Sequence, residues 1–72
     1  MIRAEDRSAA IYEIQAALRD ISGRKDSIRP RLIPDGIFGR ETEAAVVSFQ
    51  RLVGIDATGV VDYVTWTEIF NY

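Results

Sequence analysis

Apolar residues recur at helical spacing in the first third of the chain. Their positions are separated by three or four residues, which places them on one face of an α-helix. These residues are Ile11, Ile14, Leu18 and Ile21. We expect the helix to begin at about Ser8, whose hydroxyl suits an N-cap, and to end at Ser22. Gly23 then follows as the residue that closes the helix in a left-handed conformation.

The same spacing predicts two further helices, over residues 40–53 and residues 63–70. Gly39 and Asp62 stand at the two N-cap positions, and Gly54 is expected to end the first of these helices. The core-facing positions predicted for the two helices are Thr42, Ala45, Phe49, Leu52 and Val53, with Val46 at the margin, and then Trp66, Ile69 and Phe70.

Residues 24–39 are expected to form a loop, because Pro30 and Pro34 each remove a backbone donor and disfavour a helix. The apolar residues expected to attach this loop to the core are Ile28, Leu32 and Ile33. Three short helices with two connections predict an all-α fold, a small three-helix bundle. We expect one domain over residues 1–72, with its core within residues 8–70.

One phrase of the sequence occurs twice, first at residues 35–42 and again at residues 58–65. Gly36 and Gly59 hold the same place in the two copies, at a constant offset of 23 residues. Each copy consists of a glycine turn, two apolar residues and a helix start, which indicates an internal turn–helix pseudo-repeat. The residues to which we assign a structural role are Asp35, Gly36, Phe38, Gly39, Thr42, Phe49, Gly59, Asp62, Thr65 and Trp66.

The two copies also predict local conformation. Both glycines are expected at positive φ, and the apolar pairs at 37–38 and 60–61 are expected to fill the core. A short extended pairing between those two apolar pairs is left open. The residues expected at the centre of the core are Leu18, Phe38, Phe49, Val61 and Trp66.

Composition narrows the class of protein. The chain of 72 residues has no cysteine and no histidine, so neither a disulfide nor a cysteine–histidine metal site is expected. The net charge of −2 argues against a nucleic-acid binder, although residues 24–31 are locally basic. No apolar run approaches the roughly 18 residues of a membrane span, and the N-terminus lacks the apolar stretch of a signal peptide. These features suit an intracellular protein or a module of a longer exported protein.

The side chains give little support to catalysis. No serine has a histidine to activate it, and a glycosidase-like pair of carboxylates needs a cleft for which so small a domain has little room. Asp35 and Asp62 lack the alternating oxygen ligands of a calcium loop. We therefore expect no enzymatic activity, no metal and no cofactor.

Residues 35–70 carry a resemblance to a known family, and they read DGIFGRETEAAVVSFQRLVGIDATGVVDYVTWTEIF. This run resembles the peptidoglycan-binding domain of the PG binding 1 type, whose pattern is D-G-x-F-G-x-x-T-x-x-A-V-x-x-F-Q, then G-[LI]-x-x-T-G-x-[VL]-D and T-W. Gln15 fits the apolar-Gln-x-x-apolar motif of the family's first helix, so the resemblance covers about residues 8–70. The connection SGRKDSIRPRLIP is longer than the usual linker. The matching positions are Asp35, Gly36, Phe38, Gly39, Thr42, Ala45, Val46, Phe49, Gln50, Gly54, Ile55, Thr58, Gly59, Val61, Asp62, Thr65 and Trp66.

The resemblance implies a non-catalytic three-helix module that targets a linked enzyme to the bacterial cell wall. Similar domains occur in amidases, carboxypeptidases, transpeptidases, cortex-lytic enzymes and phage lysins. The implied partners are peptidoglycan, through its stem peptide, and a covalently linked or neighbouring wall enzyme. The implied location is extracytoplasmic or wall-associated, as part of a longer protein. A related fold in the pro-region of matrix metalloproteinases contacts protein, so a docking or prodomain-like module is the alternative and a spacer is a third.

The candidate ligand residues have side chains that suit a shallow, hydrated groove beside the second helix. Arg40 and Arg51 can each meet a stem-peptide carboxylate with two parallel hydrogen bonds. Tyr12 and Tyr63 carry amphipathic rings. Gln50 offers an amide that can face a peptide.

Each candidate also has a structural alternative. Gln50, like Gln15, can instead hold a loop by bonding to its backbone, because a buried amide must find partners with or without a ligand. The arginines can belong to a solvated helix face. The basic residues of segment 24–31 are an alternative contact surface.

Overall fold

The computed structural model of the chain describes residues 9–24 and 32–72, and these residues form three helices. Helix α1 spans Ala9–Arg24, α2 spans Arg40–Val53 and α3 spans Tyr63–Asn71. Each helix packs against the other two. Within the described residues the only extended pairing is at isolated bridge positions, Ile37 and Val61. The all-α three-helix fold is confirmed, while the internal pseudo-repeat stays an interpretation.

The first helix ends later than the sequence predicts. Gly23 lies inside α1, which continues to Arg24, so its predicted role as a left-handed terminator is wrong. A glycine within a helix costs only about 0.5–1 kcal/mol. The burial of Ile21 in the same turn is worth about 1.5–3 kcal/mol and outweighs that cost. The predicted N-cap Ser8, with Ile28 and Pro30, lies outside the described residues, as does most of the basic segment 24–31.

The ends of α2 and α3 confirm the predicted caps. Gly39 precedes α2 in an extended conformation, and Gly54 ends it at φ 79° with its N–H directed to the carbonyl of Arg51. Asp62 caps α3, because its carboxylate accepts a hydrogen bond of 2.9 Å from the backbone N–H of Thr65. Helix α2 therefore begins directly after Gly39, and helix α3 begins directly after Asp62.

The core lies between the three helices and the segment that precedes α2. The predicted central residues Leu18, Phe38, Phe49 and Val61 are all buried. Trp66, also predicted there, is only partly buried and packs against the outside of the cluster. The cluster of buried apolar residues contains Ile11, Ile14, Leu18, Ile21, Leu32, Phe38, Ala45, Val46, Phe49, Val61 and Ile69. Val46 is fully buried, so its predicted place at the margin of the α2 face is wrong.

Three apolar residues predicted in the core lie on the surface instead. Ile33 is 78% exposed and Ile37 is also exposed, because extended backbone alternates its side chains and their neighbours Leu32 and Phe38 take the inward positions. Phe70 is 45% exposed.

Phe70 is excluded from the core by its neighbour on α3. Successive residues of a helix point about 100° apart, so Ile69 and Phe70 cannot both face the centre of the bundle. Ile69 is buried, and Phe70 packs on Trp66 with the ring centroids 4.7 Å apart. The exposed ring therefore covers part of the indole.

Candidate functional site

The side chain of Gln15, on α1, holds the loop that leads into α2. Its Oε1 accepts hydrogen bonds from the backbone N–H groups of Asp35 and Gly36, each at 2.9 Å. Its Nε2 lies 2.9 Å from the carbonyl oxygen of Ile37, 2.9 Å from the hydroxyl of Thr42 and 3.0 Å from Oδ1 of Asp35. Backbone N–H groups can only donate, so they fix which end of the amide is the oxygen.

Gln50, on α2, holds the loop that leads into α3 in a corresponding way. Its Oε1 accepts from the backbone N–H of Gly59 at 2.9 Å. Its Nε2 lies 3.1 Å from the carbonyl oxygen of Val60, 3.0 Å from the hydroxyl of Thr65 and 3.3 Å from that of Thr58. The loop-holding role foreseen for both glutamines is therefore confirmed.

The two glycine turns have the backbone that the repeated phrase predicts. Gly36 has φ 78° and Gly59 has φ 77°, a region that costs a residue with a side chain about 1–2 kcal/mol. Gly59 is also close-packed, because a Cβ atom there would lie 2.9 Å from Cγ of Glu43 and 3.4 Å from Val47. The second turn therefore has a steric as well as a conformational need for glycine.

Two loop carboxylates are held in their charged form. The backbone N–H of Ile37 and then the amide of Gln15 donate to Asp35, which lowers the pKa of that carboxyl below its ordinary value of 3.8. The backbone N–H of Thr65, followed by its side chain, lowers the pKa of Asp62 in the same sense. Asp35 is therefore an exposed, fixed negative charge just before α2.

The first cavity, a shallow surface depression, lies at the start of α2, where loop and helix meet. Its volume is about 340 Å³, and Leu32 and Ile33 line one part of it. Its charged lining residues are Asp35, Arg40 and Glu41, all of them exposed. One small cavity is thus bordered by charges of both signs.

A second and a third cavity flank α1 and the start of α3. The second has a volume of about 420 Å³ and is lined by Tyr12, Arg19, Asp20 and Pro34. The third has a volume of about 350 Å³, with Val64 among its lining residues. Segment 32–35 contributes to both the first and the second cavity, so both cavities adjoin one short stretch of chain.

The five predicted ligand residues lie on different parts of the described structure. Arg40 lines the first cavity and Tyr12 the second, whereas Tyr63 is 82% exposed and lines none of the described cavities. Arg51 is exposed in the last turn of α2, about 16 Å along the helix from Arg40 at the usual rise per residue. Gln50 is 1% exposed and its amide is engaged within the protein.

Sequence reasoning missed two charged residues beside the candidates. Arg19 lines the second cavity with Tyr12, and the spacing of seven residues that puts both on one face of α1 was visible in the sequence. Glu41, which the sequence does not single out as a candidate, borders the first cavity beside Arg40. The approach of Gln15 to Asp35 had no signal in local spacing, because it depends on how α1 packs.

No helix within the described ranges is both long and apolar enough to cross a membrane. Residues 9–24 and 32–72 contain no group of three or more aspartate, glutamate, histidine or cysteine residues arranged to hold a metal ion.

Fold and surface together define a small all-α three-helix module, in which two buried glutamines fix two loops beside shallow cavities. Comparison with known families agrees, since the family model described as "Putative peptidoglycan binding domain" matches residues 7–69. That match covers most of the 72 residues, so the chain belongs to this family of small, non-catalytic binding domains. No solved structure matches the chain.

Proposed function

We propose that this domain binds the stem peptide of peptidoglycan and concentrates a linked wall enzyme or other protein at the bacterial cell wall. Membership of the peptidoglycan-binding family supports the ligand. Tethering raises effective concentration, so an intrinsic affinity in the millimolar range is sufficient. The location that goes with this function is extracytoplasmic, within a longer protein.

The first cavity is the contact surface that the geometry supports best. Arg40 stands at its edge in the first turn of α2, and a guanidinium can bind a carboxylate with two parallel hydrogen bonds. Stem peptides carry free carboxylates. The positive end of the α2 dipole adds a smaller attraction for the same charge.

The second cavity extends this surface along α1. Tyr12 is half exposed there, beside Arg19, and an amphipathic ring of this kind suits a hydrated groove. Because segment 32–35 borders both cavities, an extended peptide lying over that segment would reach both Arg40 and Tyr12.

Sedimentation with purified, insoluble peptidoglycan tests the proposal. We expect the domain to sediment without releasing soluble muropeptides, and Arg40→Gln to weaken sedimentation without lowering the melting temperature much. Arg51→Gln is the matched control, since it removes the same charge from the far end of α2. Equal losses in both variants would show that the contact runs along α2 or depends on net charge. Retained binding in both, with loss on neutralising the basic residues of segment 24–31, would place the contact there.

A protein-docking module is the second candidate. The observation that favours it is the exposure of three large apolar or aromatic side chains on the short helix α3, which are Tyr63, Val64 and Phe70. Large exposed apolar surface often marks protein contacts. This candidate replaces the first if the folded domain ignores peptidoglycan of several wall types.

A further inference from the structure

The loop before α2 and the loop before α3 are held by similar hydrogen bonds, and comparing them shows which features of the first cavity the loop itself needs. Oδ1 of Asp35 accepts from the backbone N–H two residues ahead, at 2.9 Å, and from Gln15 at 3.0 Å. The hydroxyl of Thr58, 23 residues later, accepts from the N–H of Val60 at 3.1 Å and from Gln50 at 3.3 Å. A neutral oxygen therefore does in the second loop what a carboxylate does in the first.

The charge of Asp35 is thus not explained by holding the loop. The same comparison extends to the helix starts, where Arg40 and Glu41 of α2 correspond to Tyr63 and Val64 of α3 at the same offset. The second loop and the start of α3 are thus built with uncharged residues at all three corresponding positions. In the first copy these three positions instead carry charges of both signs, and all three border one cavity.

We propose that the first cavity binds a zwitterionic part of the stem peptide. Arg40 pairs with a carboxylate, and Asp35 pairs with the free ammonium group of a diamino acid that is not cross-linked. Glu41 adds a second negative charge on the same rim. This inference rests on the proposed function and adds to it a preference for uncapped peptide ends.

The geometry of Asp35 favours this role. Its side chain is held at one oxygen by the N–H of Ile37 and the amide of Gln15, so little conformational freedom is lost when a cation binds. These same donors stabilise the charged form of the carboxyl and lower its pKa. At about 340 Å³ the cavity is at the small end of ligand sites, which suits a short peptide end.

The test uses two synthetic probes and nuclear magnetic resonance titration of the intact chain. One probe is a stem tetrapeptide with lysine as its diamino acid, and the other is the same peptide with the lysine Nε acetylated. We expect the free-amine peptide to bind roughly three- to tenfold more tightly, the range for one or two partly exposed charge-assisted contacts.

Substitutions distinguish the contribution of Asp35 from that of Arg40. Asp35→Thr places in the first loop the residue that the second loop already uses, so it should fold and bind both peptides equally. Asp35→Asn provides a second neutral variant that retains an acceptor oxygen. Arg40→Gln should weaken both peptides by a similar factor, because both retain the carboxylates. Thr58→Asp, in the other loop, should leave the preference unchanged.

Two results overturn the inference and leave the proposed function standing. One is equal affinity of the unmodified domain for the two peptides. The other is a preference for the free-amine peptide that survives in both folded Asp35 variants. The inference is also overturned, and the proposed function kept, if the domain sediments with intact peptidoglycan but binds neither peptide. Failure to bind intact peptidoglycan as well would overturn the proposed function itself.

Discussion

Gln15 and Gln50 lie on different helices, yet each directs its side-chain amide into the loop that precedes the next helix. Gln15 binds the N–H groups of Asp35 and Gly36 before α2, and Gln50 binds the N–H of Gly59 before α3. Both side chains are buried. The loops that border the candidate cavities are therefore fixed by two polar side chains as well as by apolar packing.

Replacing these glutamines by leucine should destabilise the domain. Gln50→Leu leaves the buried N–H of Gly59 without its acceptor and the buried hydroxyl of Thr65 without its donor, which should cost about 2–4 kcal/mol. Gln15→Leu should cost less, because its backbone partners are only partly buried and water can replace the lost bonds. Urea unfolding gives both values, with Arg51→Leu on the exposed face of α2 as the control. A Gln50→Leu variant as stable as the control would contradict the loop-holding role.

Phe49 should contribute far more to stability than Phe70. Phe49 is fully buried, so Phe49→Ala should cost about 3–5 kcal/mol, a large share of the stability of a small domain. Phe70→Ala removes the same group from a half-exposed site and should cost much less. Thermal melts of the two variants measure the difference. Similar melting temperatures would mean that the core face of α2 is wrongly assigned.

The sequence predicted the bounds of α2 and the cap of α3 because Gly39, Gly54 and Asp62 directly flank the apolar patterns of these helices. The predicted end of α1 was wrong because glycine is also tolerated inside a helix, and only the packing shows that Ile21 is buried in that turn. Arg40 was identified as a candidate from residue type. Its cavity was not, since the cavity forms where α1 brings Gln15 against a loop about 20 residues away in sequence.

Alanine should have different effects at two glycines of similar φ. Gly54 has φ 79° with no atom within 4 Å of an added Cβ, so Gly54→Ala should cost only the backbone strain of about 1–2 kcal/mol. Gly59→Ala adds a 2.9 Å approach to Cγ of Glu43 and should cost clearly more. Chemical denaturation of the two variants gives the ranking. Equal costs would mean that Glu43 moves aside without penalty and would contradict the steric role of Gly59.

The free energy of unfolding should fall at low pH, because two loop carboxylates, Asp35 and Asp62, become protonated. The pKa values of Asp35 and Asp62 are lowered in the folded protein, chiefly by backbone N–H groups of Ile37 and Thr65. A carboxyl whose folded pKa lies below its unfolded value binds protons more readily when unfolded. Its contribution is complete above the ordinary value of 3.8 and is lost as the pH falls below that value through the folded pKa.

The substitution Asp62→Asn separates this titration from the capping bond. Asparagine is also a good N-cap but does not titrate, so we expect near-normal stability at pH 7 and a smaller loss below about pH 4 than in the unmodified domain. Asp62→Ala removes the capping acceptor at every pH and should melt at a lower temperature even at neutral pH. Thermal melts from pH 7 down to about pH 2 distinguish the two variants. An Asp62→Asn variant with the same acid dependence as the unmodified domain would show that the capping carboxylate does not contribute to it.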